Sequence, residues 1–261
     1  MGMGAATAQA QIAADALGVP FDAVRVEYGD SRLPAEPLAG QSTQTATIAT
    51  SVLSACDEIK RKLGPLARRT HTVGRSPAET LAAAGLPAVE ATVGSDGLRG
   101  RLARPARVMS RFLRDGRWSK AARGAQFCEV RVDTDTGEVR ITRWLGVFDV
   151  GKVINPKTAA SQLRGGIVMG IGMALSEQTL VDPRNGRTMS AGLDSYYVPV
   201  QADIPPIDVT WLDEPDKTMP LGLVGLGEVG TTGAAAAVAN PVFHATGKRI
   251  RDLPITLDKL M

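Results

Sequence analysis

Four closely spaced glycines in one predicted helix constrain the fold more than any other feature of this sequence. They fall within eight residues, at Gly165, Gly166, Gly170 and Gly172. The apolar pattern around them predicts a helix from about residue 157 to 178. Each interior glycine costs a helix up to about 1 kcal/mol, because glycine loses the most backbone freedom on folding. We therefore expect another backbone, or a ligand, to lie too close to this helix for side chains.

The rest of the chain is predicted to mix helices with short strands. Helix patterns occur at residues 5–17, from 43 to 63 with an end at Gly64–Pro65, after Ser76–Pro77, and at 234–247. Alternating patterns predict a strand within residues 21–30, hairpins over 124–150 and 178–190, and a strand at 207–213. Neither an internal repeat nor a regular βαβ period is present, so the predicted class is α+β, with helices and hairpins in two lobes.

Positive charge is concentrated in one stretch. Residues 60–123 contain 15 lysines and arginines but only 4 acidic residues, a formal charge of +11 in a chain of net charge +3. A phosphate-bearing partner or cofactor would account for this charge, and so would a solvated insertion, which we favour. We therefore predict an irregular basic linker at 64–123 between a first part at 1–63 and a C-terminal lobe at 124–261.

Composition excludes several classes of chemistry. The 11 aromatic residues of 261 are too few for a binder of single-stranded nucleic acid, which needs stacking platforms, and no nucleic-acid motif is present. The spacing of the two cysteines resembles no metal site and the two histidines lie far apart, so we expect neither a zinc enzyme nor an iron–sulfur domain. No protein metal ligands are therefore predicted, and the chemistry must come from carboxylates or a cofactor. No signal peptide or apolar span is evident, so we expect no membrane contact and a cytoplasmic location, with periplasmic export through a partner subunit left open.

The motif Gly225-Leu226-Gly227-Glu228-Val229-Gly230 allows two interpretations. It has the GxGxxG spacing of a dinucleotide-binding loop, which would make the protein a nicotinamide-dependent oxidoreductase. However, the residues before it make a poor core strand, and Glu228 would repel a pyrophosphate. Alternatively, the glycines present Glu228 on a tight loop between apolar neighbours, where a desolvated carboxylate can act as a general base. A solvent-facing loop glutamate is the simplest explanation for such a residue taken alone.

Three other clusters are suited to a polar, anionic ligand. They are the glycine turn before the first helix at 2–7, the polar segment 41–45 that opens the second, and residues 161–166 of the glycine-containing helix. Helix N-termini and glycine turns present backbone N–H groups to anions, and glutamine and serine side chains can bind the edge of a heterocycle. Each cluster alone is explained by an ordinary cap or by close packing. Together they match the needs of a large phosphate-bearing heterocyclic cofactor.

In this order, the motifs resemble the C-terminal part of the molybdenum hydroxylases, the xanthine dehydrogenase and aldehyde oxidase family. The matching stretches cover most of residues 1–56 and 124–256, and include MGMGAATAQAQ, AGQSTQTAT, INPKTAASQLRGG and GLGEVGTTG. The ending ATGKRIRDLPIT is most similar to bacterial aldehyde-oxidising members. The basic stretch 64–123 has no counterpart that we can place.

The resemblance implies a molybdopterin cofactor with molybdenum, in bacteria often the cytosine dinucleotide form, whose pterin dithiolene holds the metal. It implies that Glu228, in the loop that contains Gly227, is the base that deprotonates a molybdenum-bound hydroxyl, which then attacks a small aldehyde or N-heterocycle. The other cofactor-contacting residues that it implies are Gly2, Gly4, Ser42, Thr43, Gln44 and Gln162.

The sequence also departs from the family pattern. It begins inside the first cofactor motif, so we expect the upstream molybdopterin-binding half, an iron–sulfur subunit and a flavin subunit to be needed as partners. The chain would then be a fragment or a subunit of a molybdenum-dependent oxidoreductase that is inactive alone. A remnant scaffold that binds no metal is the alternative from another functional class.

Overall fold

The computed structural model describes residues 2–33, 39–40, 42–93 and 121–261. The chain divides into two compact units, residues 1–121 with 216–224, and residues 122–215 with 225–261. Most of the arginine-rich part of the predicted linker, residues 94–120, lies outside the described residues. None of the helices that the structure describes is long and apolar enough to cross a membrane.

The first unit is built on three helices, α1 (Ala5–Leu17), α2 (Gln44–Arg69) and α3 (Pro77–Ala84). Helix α1 packs on α2 through small and aliphatic side chains, which allow the two backbones to approach closely. The buried residues at this contact and farther along α2 are Ala8, Ala10, Ile12, Ala14, Ile48, Ala49, Cys56 and Leu63. Ser76 and Glu79 form a reciprocal capping box that fixes the start of α3.

Two expectations for this unit were wrong. Helix α2 does not end at Gly64–Pro65 but continues to Arg69, where α3 packs against it. Just after α2, the Thr72 hydroxyl donates to the Thr80 hydroxyl of α3 at 3.0 Å. The tertiary contact outweighs the cost of an internal proline. Residues 21–30 form no strand. They contain the 3₁₀ turn Phe21–Ala23 followed by irregular backbone, because no strand among the described residues lies beside them to accept their hydrogen bonds.

The second unit contains a three-stranded sheet in the order β1-β2-β3. Strands β1 (Arg123–Val132) and β2 (Val139–Asp149) form the predicted antiparallel hairpin, with a bulge between Glu129 and Val130. Strand β3 (Ile207–Leu212) confirms the predicted strand there, and pairs parallel to β2. The crossover between them includes helix α4 (Pro156–Leu175), which is the predicted glycine-containing helix. The expected hairpin at 178–190 is reduced to one bridge, Val181 to Thr188.

Helix α4 and helix α6 (Ala234–Thr246) pack against this sheet and against each other. Their contact encloses the core, whose largest fully buried side chains include Trp144, Phe148, Leu163, Ile167 and Val238. The Arg164 guanidinium also donates to the Ile207 carbonyl at 3.1 Å, which ties α4 to β3. The α+β class predicted from the sequence is therefore confirmed, and the core places α4 beside the residues that enter α6.

Candidate functional site

The glycine face of α4 lies against the backbone that carries the GxGxxG motif. A Cβ atom at Gly166 would lie 3.0 Å from the Thr231 nitrogen and 3.1 Å from the Gly230 Cα. One turn later, a Cβ at Gly170 would collide with the Ala234 Cβ. Because both glycines meet backbone or the first turn of α6, the predicted close approach to this helix is confirmed.

The other two glycines of the cluster have different surroundings. Gly172 faces the Glu177 carboxylate and the Pro199 ring, whereas no atom lies within 4 Å of a Cβ built at Gly165. Only part of the cluster is therefore explained by packing on the loop at 227–231. Gly165 is exposed.

Three contacts hold the Gly230–Thr231 backbone in place. A Cβ at Gly230 would lie 2.6 Å from the Leu163 carbonyl oxygen, so only glycine fits there. The Thr231 hydroxyl donates to the Gly166 carbonyl at 3.0 Å. From strand β1, the Gln126 Nε2 donates to the Gly230 carbonyl at 3.0 Å. The loop is thus anchored by both the helix and the sheet.

Glu228 precedes the short helix α5 (Val229–Thr232) on this anchored loop. Its carbonyl accepts hydrogen bonds of 3.2 Å from the Thr231 amide and from the Thr232 hydroxyl. Its neighbours Leu226 and Val229 pack partly buried against the core, while Glu228 itself is exposed. The desolvated setting expected for this carboxylate is therefore not found in this chain, because the apolar neighbours turn inward and leave Glu228 outside.

Gln162 lies on α4 one turn before Gly166, so it shares the side of the helix that approaches the loop. Its side chain is half-buried. The N-terminus of α4 is capped by Asn155, whose Oδ1 accepts from the Thr158 amide at 3.0 Å. Three of the predicted site residues, Gln162, Gly227 and Glu228, are thus carried by α4 and the loop packed on it, within the second unit.

The other predicted residues lie in the first unit, at two helix N-termini. Gly2 and Gly4 both have left-handed backbone, with φ of 81° and 82°, and Gly4 is the N-cap of α1. Neither a capping side chain nor an acidic residue occupies the first turn of α1 among the described residues. Because the start of a helix carries a partial positive charge and unpaired N–H groups, this turn suits an anion.

The start of α2 has a similar character. Ser42 has a left-handed φ of 54°, and Thr43 is the N-cap of α2, with its hydroxyl donating to the Gly40 carbonyl at 3.0 Å. The Gln44 Oε1 atom is buried, and no donor in the part of the chain that the structure describes reaches it. A buried carbonyl oxygen without a donor costs free energy of folding, so a ligand that donates an N–H or O–H to this atom would bind favourably there.

The residues at these positions fit a large neutral-to-anionic group better than a bare cation. They offer glycine turns, hydroxyls and amides. Within residues 2–33, 39–40, 42–93 and 121–261, no three His, Cys, Asp or Glu side chains gather closely enough to hold a metal ion. A metal at this site would need ligands from another source, such as a cofactor.

The dinucleotide-binding interpretation finds little support in the local geometry. Such a motif opens a helix directly after a strand. Here β3 ends at Leu212, and the residues just before the motif form the 3₁₀ turn Pro220–Gly222. The helix that follows Glu228 is only four residues long.

The pKa values of Cys128 and Tyr196, both in the second unit, are raised. Burial raises the pKa of the Cys128 thiol to about 12, and its Sγ donates to the Ala237 carbonyl at 3.1 Å. The pKa of Tyr196 is raised, chiefly because its hydroxyl donates to the Glu177 carboxylate at 2.8 Å. Cys128 therefore stays a neutral thiol that joins β1 to α6, and is no nucleophile.

Gln126 is not among the site residues predicted from the sequence. The signal was present, since the inward positions of β1 are 126, 128, 130 and 132, and Gln126 is the one amide among them. A lone amide on the inward face of a strand requires a hydrogen-bond partner. The sequence could not show that this partner is the Gly230 carbonyl, 104 residues away.

The sequence matches the molybdopterin cofactor-binding domain family over residues 1–205. It is 38% identical over 270 residues to the aldehyde oxidoreductase molybdenum-binding subunit PaoC of Escherichia coli strain K12, a match that covers 100% of this chain and 35% of that protein. It is 30% identical over 282 residues to the nicotine 6-hydroxylase large subunit of Paenarthrobacter nicotinovorans, with 100% and 34% covered.

Among solved structures, the quinoline 2-oxidoreductase of Pseudomonas putida 86 is similar, with a TM-score of 0.75 and 25% identity over 98% of this chain and 34% of that one. The aldehyde oxidoreductase of Desulfovibrio gigas gives a TM-score of 0.72 and 25% identity, covering 99% and 27%. This chain therefore spans about a third of the length of the curated relatives that it matches.

Proposed function

The chain belongs to the molybdopterin cofactor-binding domain family, that of the large subunits of xanthine dehydrogenase and aldehyde oxidase type, and from this premise we propose that it supplies part of a molybdopterin site and the catalytic base. The proposed enzyme oxidises an aldehyde or an aromatic N-heterocycle. The molybdenum of the bound cofactor supplies the two-electron redox chemistry. The observation that carries the proposal is the anchoring of the Glu228 loop on the glycine face of α4.

Glu228 is the proposed base. Anchoring at Gly230 and Thr231 gives the backbone at Glu228 a defined direction, which is what a group that must meet one reacting atom needs. The carboxylate takes up one proton from the reacting centre during turnover. A general base of this kind accelerates a reaction by roughly two to four orders of magnitude.

The residues at the two helix N-termini of the first unit are proposed to bind the cofactor. Gly2 and Gly4 would present backbone N–H groups to phosphate, and the amide of Gln44, with its buried Oε1, would accept from an N–H of the heterocycle. Ser42 and Thr43 would add hydroxyls. In the second unit, Gln162 is proposed separately as a cofactor-contacting residue. We propose the cytosine dinucleotide form, because several separate anion-binding turns suit a cofactor that carries two phosphates.

The partners are proposed from the relatives. Two of these are described as a molybdenum-binding subunit and a large subunit, which implies enzymes of several subunits. We propose that the site is completed by the upstream molybdopterin-binding half, and that an iron–sulfur and a flavin subunit carry electrons away. A scaffold that binds no metal remains the rival, and the exposure of Glu228 is the observation that favours it.

Metal and pterin analysis separates these functions. The complete enzyme is purified, its molybdenum is measured by mass spectrometry, and its pterin is released by oxidation and measured by fluorescence. Equal amounts of both, with cytidine monophosphate released on hydrolysis, are expected. Protein without either would support the scaffold, and bound nicotinamide would support the dinucleotide-binding alternative.

The base role is tested by Glu228→Gln, which keeps the shape of the side chain but cannot accept the proton. We expect kcat with an aromatic aldehyde, normalised to molybdenum, to fall by roughly 10² to 10⁴ while cofactor content stays unchanged. Glu214→Gln, at another exposed glutamate of the same unit, is the matched control and should retain full turnover. Retention of more than about a tenth of the activity by Glu228→Gln would exclude the base role.

A further inference from the structure

Strand β1 presents one amide on the face that points toward the helices. Its inward residues alternate with exposed ones, and are Gln126, Cys128, Val130 and Val132. Opposite Gln126 on β2 is Gly146, where a Cβ would lie 2.6 Å from the Phe148 ring, so the surroundings of the amide include an aromatic side chain. An apolar residue would be the ordinary choice at such a position, because burying an amide has a cost that only good hydrogen bonds offset.

The side-chain amide of Gln126 is hydrogen-bonded to the loop that carries Glu228. Its Nε2 donates to the Gly230 carbonyl at 3.0 Å, and a Cβ at Gly233 would lie 3.0 Å from the same atom. The Gln126 Oε1 is buried and receives no hydrogen bond from any residue that the structure describes. The amide oxygen is thus unsatisfied, and the amide nitrogen makes one hydrogen bond to the loop.

Two different elements therefore hold neighbouring peptides of this loop. On α4, the Gly166 carbonyl accepts a hydrogen bond from the Thr231 hydroxyl. On β1, the Gln126 Nε2 donates a hydrogen bond to the Gly230 carbonyl. The close packing of Gly230 on the Leu163 carbonyl limits the loop further. With both hydrogen bonds present, the peptide that follows Glu228 and Val229 has one orientation.

We infer that Gln126 is a positioning residue that sets the direction of Glu228 by fixing the Gly230 carbonyl to the sheet. Its consequence for catalysis rests on the function proposed above. The positioning of the loop by Gln126 does not rest on that function, since it concerns only contacts within this chain. Gln126 acts through the backbone of the loop, at the Gly230 carbonyl.

Gln126→Met tests whether Gln126 holds the loop in place. Methionine has a similar length, removes the donor to Gly230 and also removes the unsatisfied Oε1, so the fold should keep its melting temperature. The readout is hydrogen exchange of the 261-residue chain, followed at the Thr231 amide, which donates to the Glu228 carbonyl. We expect this amide to exchange about five- to tenfold faster, the factor for one lost hydrogen bond. Amides within α4 should be unchanged.

Gln201→Met, at an exposed glutamine of the same unit, is the control and should leave exchange at Thr231 unchanged. Exchange at Thr231 within twofold of wild type in Gln126→Met would overturn the inference. A general loss of protection across β1, β2 and α4, or failure of the variant to fold, would also overturn it, because Gln126 would then be a structural residue of the core.

The complete enzyme gives the catalytic readout. Gln126→Met should lower kcat about tenfold with KM and molybdenum content unchanged, since a displaced base slows the chemical step without altering binding. An unchanged kcat would contradict the catalytic consequence. If Thr231 exchange rises in Gln126→Met while Glu228→Gln keeps its turnover, the positioning contact stands and the proposed base role fails. The two ideas can therefore fail separately.

Discussion

The contact between α4 and the Glu228 loop can be tested by giving Gly166 a side chain. In Gly166→Leu, the Cβ alone would lie 3.0 Å from the Thr231 nitrogen and 3.1 Å from the Gly230 Cα. These are backbone atoms that cannot rotate away, and the hydrogen bond from the Gln126 amide on β1 resists a shift of the loop. Three further carbon atoms must then be accommodated in the same contact.

The magnitude follows from two opposing effects. Overpacking of this kind costs about 1–3 kcal/mol, and the fixed backbone places Gly166 at the upper end. Replacing a helical glycine by leucine returns up to about 1 kcal/mol through helix propensity. We therefore expect Gly166→Leu to lower the free energy of unfolding by about 2 kcal/mol.

Gly165→Leu is the matched control, because it makes the same change at the adjacent residue. No atom lies within 4 Å of a Cβ at Gly165, and the residue is exposed. Only the propensity effect remains there, so this variant should be more stable than wild type by about 0.5–1 kcal/mol.

Urea unfolding followed by circular dichroism measures both variants. The expected result is a change of opposite sign at two neighbouring glycines. If Gly166→Leu were as stable as Gly165→Leu, the backbone contact would not restrict side chains, and the argument that the glycines exist for close approach would be refuted.

Two further predictions concern activity and pH. The 261-residue chain, loaded with cofactor but without partners, should show no measurable aldehyde oxidation in a dye-reduction assay. The reason is that an active site needs contacts from all sides to orient the metal and exclude water. Substantial turnover by this chain would contradict the prediction. The pKa of Cys128 is raised to about 12 in the folded chain, against an ordinary value of 9.0, so the unfolded state ionises first as pH rises. The contribution of Cys128 to the free energy of unfolding is therefore complete below about pH 9 and is lost between pH 9 and about pH 12. In wild type, the urea midpoint should fall over this pH range, and Cys128→Ala should lack the part of the fall that is due to this thiol. An identical dependence of the urea midpoint on pH in both proteins would disprove this prediction.

Much of the local structure was predictable because it depends on local chemistry. The helix that ends at Leu17 stops at Gly18, whose left-handed φ of 67° suits a glycine C-cap. The β1–β2 hairpin follows from alternation on both sides of a turn at 134–137. Errors arose where a partner decides the outcome. The alternating residues 21–30 have no neighbouring strand, and α2 passes Pro65 because α3 packs on it.

The sequence by itself predicted that the helix containing Gly165–Gly172 is approached closely, because glycines in a helix interior cost stability, and this holds for Gly166 and Gly170. It also pointed to Glu228 through a glycine motif that resembles the family pattern. Only the tertiary structure decided what approaches the helix, namely the peptides at Gly230 and Thr231. It likewise decided that Glu228 is exposed and that Gln126 anchors its loop, because burial and hydrogen bonds between residues 104 positions apart are properties of the packed chain.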